Sequence, residues 1–132
     1  MGKYLGIDYG NKHVGIAISN EEKNFVLPRE GVATKEIFDY LKNIVEDEAI
    51  EKIIVGLPIG LNGQETAQTK KTREFIEQLN CRLSVEIVTE DERLTTGAAN
   101  RLLVGLDKKS KKKKIDQSAA ALILQDYLTK NA

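Results

Sequence analysis

Carboxylates are the residues of this chain best suited to chemistry, because other metal ligands and nucleophiles are scarce. The 132 residues include one cysteine, Cys81, and one histidine, His13. An intramolecular disulfide and a CxxC metal site are therefore excluded, and a zinc site of His and Cys is disfavoured. Any metal would be bound by Asp and Glu, which favours Mg²⁺ or Mn²⁺.

The first acidic position is Asp8, which ends the apolar segment Lys3–Asp8 (KYLGID). A buried carboxylate is costly unless it is paired or metal-bound, and the carboxyl end of a strand is where α/β sheets bind ligands. Taken alone, however, Asp8 is better explained as the start of the turn Tyr9-Gly10-Asn11.

The second acidic position is the run Glu90-Asp91-Glu92-Arg93, which directly follows a predicted strand. Three consecutive acids repel one another, and a cation would relieve that repulsion. Arg93 could instead pair with one of them or with a phosphate. A solvated acidic loop explains this tetrapeptide equally well.

The third acidic position is Asp116, near the start of a predicted helix over 115–130. Asp116 shares a helical stripe with Ala120, Ile123 and Tyr127, and we expect this stripe to face the sheet. Helix capping is the simpler explanation of Asp116 by itself. Carboxylates from three segments at one edge of a sheet would together hold Mg²⁺ or Mn²⁺ for phosphodiester hydrolysis.

A lysine cluster precedes this third acid. It comprises Lys108, Lys109, Lys111, Lys112, Lys113 and Lys114. A phosphate backbone is the obvious partner, and its binding would be salt-sensitive. A solvated loop is the alternative, and the lack of aromatic residues in the cluster argues against base stacking there. The position just before Asp116 favours a role in binding nucleic acid.

The rest of the pattern predicts the framework that would position these residues. Apolar or alternating segments predict strands at 3–8, 13–19, about 31–33, 52–56 and 84–89. Helical periodicity predicts helices after a cap at Thr34, at about 66–79, from Thr95 or Thr96 to 103, and at 115–130, with a loop over 105–114. The order β-β-β-α-β-α-β-α-α indicates a mixed α/β sheet flanked by helices, in one domain over 1–132.

Charge and hydropathy narrow the setting. The net charge is zero, but residues 99–132 hold eight basic and three acidic residues, whereas 1–98 hold twelve and seventeen. Such unevenness is common, although it suits a metal site in one part and a polyanion in another. No apolar run approaches the ~20 residues of a membrane span, and no signal peptide is evident. We expect a cytoplasmic protein without a membrane partner.

Four motifs, in the same order as in one protein family and covering nearly the whole chain, carry a resemblance. They are GIDYGNKHVGIAIS (6–19), VGLP with NG (55–63), DERLTT (91–96) and DQSAAALILQDYL (116–128). Together they are similar to the YqgF family, also called RuvX, whose members are described as pre-16S rRNA nucleases and as Holliday junction resolvases. The resemblance implies an RNase H-like fold with a five-stranded mixed sheet. It also implies a metal-dependent nuclease that matures the 5′ end of 16S rRNA.

The resemblance also assigns roles to residues. The catalytic acids would be Asp8, Glu92 and Asp116, and the metal ligands would include Asp8, Asp116 and a carboxylate of Asp91-Glu92. Glu92 is favoured over Asp91, but the motif does not decide between them. Arg93 would be an accessory residue that binds phosphate or pairs with an acid.

Other functions remain open. The same chemistry could act on branched DNA, because lysines bind phosphate rather than sugar. The segment IDYGNKHVG also resembles the phosphate-binding hairpin of actin-like ATPases, but those proteins enclose ATP between two such domains and this chain has room for one. A non-catalytic RNA-binding factor with structural acids is the third alternative. A homodimer would help to span two strands, although nothing in the sequence demonstrates one.

Overall fold

The computed structural model describes residues 2–60, 62–91 and 108–131, and for 108–118 it describes the backbone alone. Within these residues the strands are β1 (Lys3–Asp8), β2 (His13–Ser19), β3 (Val26–Ala33), β4 (Ile50–Leu57) and β5 (Glu86–Asp91). The helices are α1 (Ile37–Asp47), α2 (Ala67–Arg82) and α3 (Lys108–Lys130). None of these helices is long and apolar enough to span a membrane.

The five strands form one mixed sheet in the spatial order β3-β2-β1-β4-β5. The β1–β2 and β2–β3 pairs are antiparallel, and the β1–β4 and β4–β5 pairs are parallel. The last residues of β1, β4 and β5 therefore lie at one edge of the sheet, which we call the carboxyl edge. The expected five-stranded mixed sheet is confirmed.

Alternation along the strands divides the apolar core into two layers. Leu5 and Ile7 of β1 belong to the larger layer, which also contains buried residues of α1 and α2. The smaller layer joins Ala17 and Ile54 of the sheet to Ala120, Ile123 and Leu124 of α3. Full burial of such aliphatic side chains stabilises a fold by about 1.5–3 kcal/mol each. The sheet thus has an α1/α2 face and an α3 face.

The third strand is longer than its sequence predicts. Val26–Ala33 is continuous and includes Pro28, whereas the sequence predicts a strand only after that proline. β3 is an edge strand, and an edge strand tolerates a residue that has no N–H to donate to the ladder. Pro28 therefore lies opposite Ala17 of β2 without breaking the strand.

Two element starts also differ from the prediction. The side chain of Thr34 does not cap α1; its hydroxyl donates a hydrogen bond of 2.7 Å to the carbonyl oxygen of Gly10. A 3-10 turn over Thr34–Glu36 intervenes, and α1 begins at Ile37. Strand β5 begins two residues later than predicted and continues to Asp91.

The loop predicted over 105–114 is wrong for residues 108–114, because α3 begins at Lys108. Lysine has a good helix propensity, and neither glycine nor proline occurs after Gly105, so nothing in the lysine cluster stops a helix. The short helix predicted from Thr95 or Thr96 lies outside the described residues.

Candidate active site

Asp8 is the last residue of β1 and lies at the carboxyl edge, opposite Gly15 of β2. Side chains alternate along a strand, and Tyr4 of β1 contacts α3, with 6.1 Å between the ring centroids of Tyr4 and Tyr127. Asp8, four residues after Tyr4, therefore belongs to the α3 face. The structure thus places Asp8 at the strand end that the sequence predicts.

Helix α3 lies directly over β1. A Cβ atom added to Gly6 would be 2.8 Å from the carbonyl oxygen of Ala120 and 2.8 Å from Cβ of Leu124. Only glycine permits so close an approach of helix and strand. Because Tyr4 contacts Tyr127 and Gly6 contacts Ala120, α3 runs antiparallel to β1.

This direction points the N-terminal part of α3 toward the carboxyl edge. Position 116 precedes Ala120 by four residues, about 6 Å along a helix, and Asp8 follows Gly6 by two residues, about 6–7 Å along a strand. Both steps lead from the same helix–strand contact toward the same edge. The side chain of Asp116 lies outside the described residues.

The end of β5 brings two carboxylates to the carboxyl edge, on opposite faces of the sheet. Glu90 pairs with Gly56 of β4, next to Val55, which pairs with Ile7 of β1. Glu90 is therefore level with Asp8, two strands or about 10 Å away. Alternation assigns Asp91 to the α1/α2 face, one residue further along.

Glu90 is held on the α3 face by an ion pair. Glu90 is buried, at 6% exposure, and its Oε2 lies 2.6 Å from Nζ of Lys130, the last residue of α3. This hydrogen bond raises the pKa of Lys130. Burial raises the pKa of the neighbouring Asp126, and the negative charge of Glu90 raises it further. In the sequence Glu90 is only one member of an acidic run, and nothing there distinguishes it.

The other predicted site residues are described in part or not at all. Glu92 and Arg93 lie outside the described residues, and only the backbone is described for Asp116 and for the lysine cluster. Within the described side chains no group of three or more His, Cys, Asp or Glu could hold a metal ion. A meeting of Asp8, Glu92 and Asp116 is therefore still a prediction.

Comparison with known proteins identifies the family. Residues 2–130 match RuvX, the family described as Holliday junction resolvase. The chain belongs to the RuvX family. A relative from Sulfurihydrogenibium sp. is 37% identical over 131 residues, which cover 97% of this chain and 90% of the relative. One from Rickettsia conorii is 39% identical over 129 residues, covering 94% and 84%. Both are named as candidate pre-16S rRNA nucleases.

Solved structures agree with the RuvX assignment at the level of the fold. RuvC of T. thermophilus in complex with a Holliday junction substrate gives a TM-score of 0.63 at 16% identity and covers 100% of this chain and 98% of that one. The fowlpox virus Holliday junction resolvase gives 0.58 at 15% identity, covering 97% and 99%. The chain thus has the RNase H-like fold of these resolvases, and its family and curated relatives identify it as a nuclease.

Proposed function

We propose that this protein is a metal-dependent endonuclease that hydrolyses phosphodiester bonds in structured nucleic acid, and that its substrate is the 5′ end of pre-16S rRNA. The observation that carries the proposal is Asp8 at the carboxyl end of β1, beneath α3, in a chain of the RuvX family. The names of the relatives support the ribosomal substrate. Residues 1–132 act as one cytoplasmic nuclease domain.

The catalytic acids of this proposal are Asp8, Glu92 and Asp116. The direction of α3 supports Asp116, because position 116 and Asp8 are reached by equal steps from the Gly6–Ala120 contact. Glu92 is preferred to Asp91 because the alternation of β5 assigns Asp91 to the face opposite Asp8.

The donor set suits a hard divalent cation. The chain has a single histidine and a single cysteine, so carboxylates are the main candidate ligands at the carboxyl edge. Asp8, Glu92 and Asp116, with Asp91 as the alternative in β5, would hold Mg²⁺ or Mn²⁺. A metal bound there would lower the pKa of a water molecule and offset charge on the leaving oxygen.

Basic residues beside the acids would bind the substrate backbone. The lysine cluster forms the first two turns of α3, directly before position 116, so phosphates bound there would lie next to the scissile bond. Arg93 would contact a phosphate at the end of β5. These contacts would give affinity with a steep salt dependence and little sequence preference.

The test is a cleavage assay with matched substitutions. Asp8→Asn should abolish Mg²⁺- or Mn²⁺-dependent cleavage of a precursor rRNA carrying the 16S 5′ end and should preserve RNA binding. Asp39→Asn makes the same chemical change at an exposed position of α1 and should cleave like the wild type. Equal activity of the two variants would refute the role of Asp8. A wild type that binds this RNA without cleaving it would indicate a non-catalytic RNA-binding factor.

A four-way DNA junction is the second candidate substrate. The family description and the likeness to RuvC favour it. The same panel of variants, assayed on a junction and on precursor rRNA at matched salt, compares the two substrates directly. Cleavage of the junction at a higher kcat/KM than the RNA would overturn the ribosomal assignment but retain the nuclease.

A further inference from the structure

A pocket with aromatic walls lies immediately beside Asp8, on the opposite face of the sheet. Its walls include Tyr9, which follows Asp8 directly, together with Phe38 of α1 and Phe75 of α2. Its cavity volume is about 110 Å³.

The three rings form a fixed arrangement. The centroids of Tyr9 and Phe75 are 4.3 Å apart with an interplanar angle of 21°, and those of Phe38 and Phe75 are 5.7 Å apart at 42°. The guanidinium of Arg82 lies 4.5 Å from the centroid of Phe38. Gln68 donates a hydrogen bond to the carbonyl oxygen of Tyr9, which ties the end of β1 to α2. Such preformed walls would lose little freedom when a ligand binds.

The rim of the pocket carries three kinds of polar group. Lys71, Glu74 and Gln78 line it, all three are exposed, and their spacing places them along one stripe of α2. A carboxylate can accept a hydrogen bond from an exocyclic amine, an amide can donate and accept at a base edge, and an ammonium can bind phosphate. Phe75 is buried, at 3% exposure, so the half-buried rings of Tyr9 and Phe38 and the polar rim are the surfaces that a flat heteroaromatic ring attached to an anionic backbone would contact.

We propose that this aromatic pocket binds one unpaired nucleobase of the substrate, close to the bond that is cut. This inference rests on the proposed function, because Tyr9 and Asp8 are consecutive at the carboxyl edge, and a substrate strand cut at Asp8 would pass around that edge to place a base in the pocket. Unpaired bases of RNA are characteristically recognised by aromatic side chains together with polar groups that read the base edge. The pocket would thus add a base-specific contact that the lysine cluster cannot supply.

The test measures binding in the Asp8→Asn protein, so that cleavage does not interfere. A single abasic site is moved along the precursor RNA on both sides of the cut, and along a DNA strand of the same sequence. Loss of one base stacked on aromatic side chains should weaken binding by about 5- to 140-fold at one abasic position. Its neighbours should have smaller effects.

Variants of residues at the rim and walls test whether the loss of affinity at the abasic position comes from the pocket. Lys71→Ala should weaken binding of the intact strand, whereas Lys70→Ala removes the same charge from the adjacent exposed residue outside the pocket and serves as the matched control. Phe38→Leu should weaken binding of the intact strand. It should also reduce the loss of affinity caused by the sensitive abasic position, because the variant has already lost the ring contact that the missing base would make. Thermal denaturation checks that each variant is folded.

Three outcomes overturn the proposal. They are a flat abasic scan, equal behaviour of Lys71→Ala and Lys70→Ala, and an abasic penalty that Phe38→Leu leaves unchanged. If the abasic scan is flat while the wild type cleaves normally, base binding by the pocket is refuted and the nuclease proposal stands. An aromatic side chain of a partner protein is then the next occupant to test. If one abasic position weakens binding but the wild type cleaves no substrate, base binding by the pocket is supported and the nuclease proposal is refuted.

Discussion

Replacing Lys130 by methionine should destabilise the protein, because it leaves the buried carboxylate of Glu90 without its cation. The two charged atoms are 2.6 Å apart, and the contact joins the last residue of α3 to the end of β5. Methionine keeps most of the apolar stem through which a lysine side chain packs. The measured effect therefore reports mainly the lost charge.

The magnitude follows from the unequal exposure of the two partners. Removing one partner of a fully buried pair costs about 3–5 kcal/mol, whereas an exposed pair contributes about 0–1 kcal/mol. The side chain of Glu90 is 7% exposed but that of Lys130 is 63% exposed, so water screens the pair from one side. We expect a loss of about 1–2 kcal/mol in the free energy of unfolding. For a chain of this size that lowers the Tm by about 4–8 °C.

Urea and thermal denaturation of a small set of variants test this reasoning. Glu90→Gln should cost less than Lys130→Met because it removes the buried charge itself, and the double variant should resemble Glu90→Gln. Lys42→Met, at an exposed position of α1, is the matched control. The reasoning is refuted if Lys130→Met behaves like Lys42→Met, or if Glu90→Gln is the more costly change.

The pH dependence provides an independent check. The pKa of Lys130 is raised in the folded state, so the contribution of its charge is complete below the unfolded value, about 10.4, and is lost as the pH rises through the folded value. The difference in stability between wild type and Lys130→Met should therefore be constant from pH 7 to 9 and should shrink above about pH 10.4. A difference that shrinks on acidification over neutral pH would assign the effect to another group.

Three further substitutions test the packing, capping and charge of the fold. Gly6→Ala should cost about 1–3 kcal/mol, because its Cβ would lie 2.8 Å from the carbonyl oxygen of Ala120; an unchanged Tm would show that α3 is not held against β1. Thr66→Ala should cost about 1 kcal/mol, because Thr66 caps α2 and exchanges hydrogen bonds with Thr69; Thr66→Ser should be close to neutral in urea denaturation. Asp126→Asn should stabilise the protein at pH 7, because the pKa of Asp126 is raised by burial and the folded state penalises its charge. That gain should vanish as the pH falls below about 3.9, where the carboxyl group is protonated in both states, and a gain that persists in thermal denaturation at pH 3 would contradict it.

The fold could be predicted where the apolar pattern and the local turn chemistry agree. The bounds of β1 and β2 match the prediction because a turn rich in Gly and Asn separates two regular apolar segments. The prediction fails where a local rule depends on position in the sheet. Pro28 ends a strand in the interior of a sheet but not at its edge, and the edge position of β3 is set by the pairing of all five strands.

The same limit applies to the site, where Asp8 could be predicted but the separate roles of the β5 acids could not. Glu90 and Asp91 are adjacent and carry the same charge, yet the alternation of β5 assigns them to opposite faces. Glu90 is neutralised by Lys130, forty residues further along the chain, and that contact depends on the β4–β5 register and on where α3 ends. Fewer carboxylates of the acidic run are therefore available to a metal than its sequence suggests. With Glu90 paired to Lys130 and Asp91 assigned by alternation to the other face, we propose that Glu92, the residue that follows β5, supplies the metal ligand, and Glu92→Gln compared with Asp91→Asn in the cleavage assay decides it.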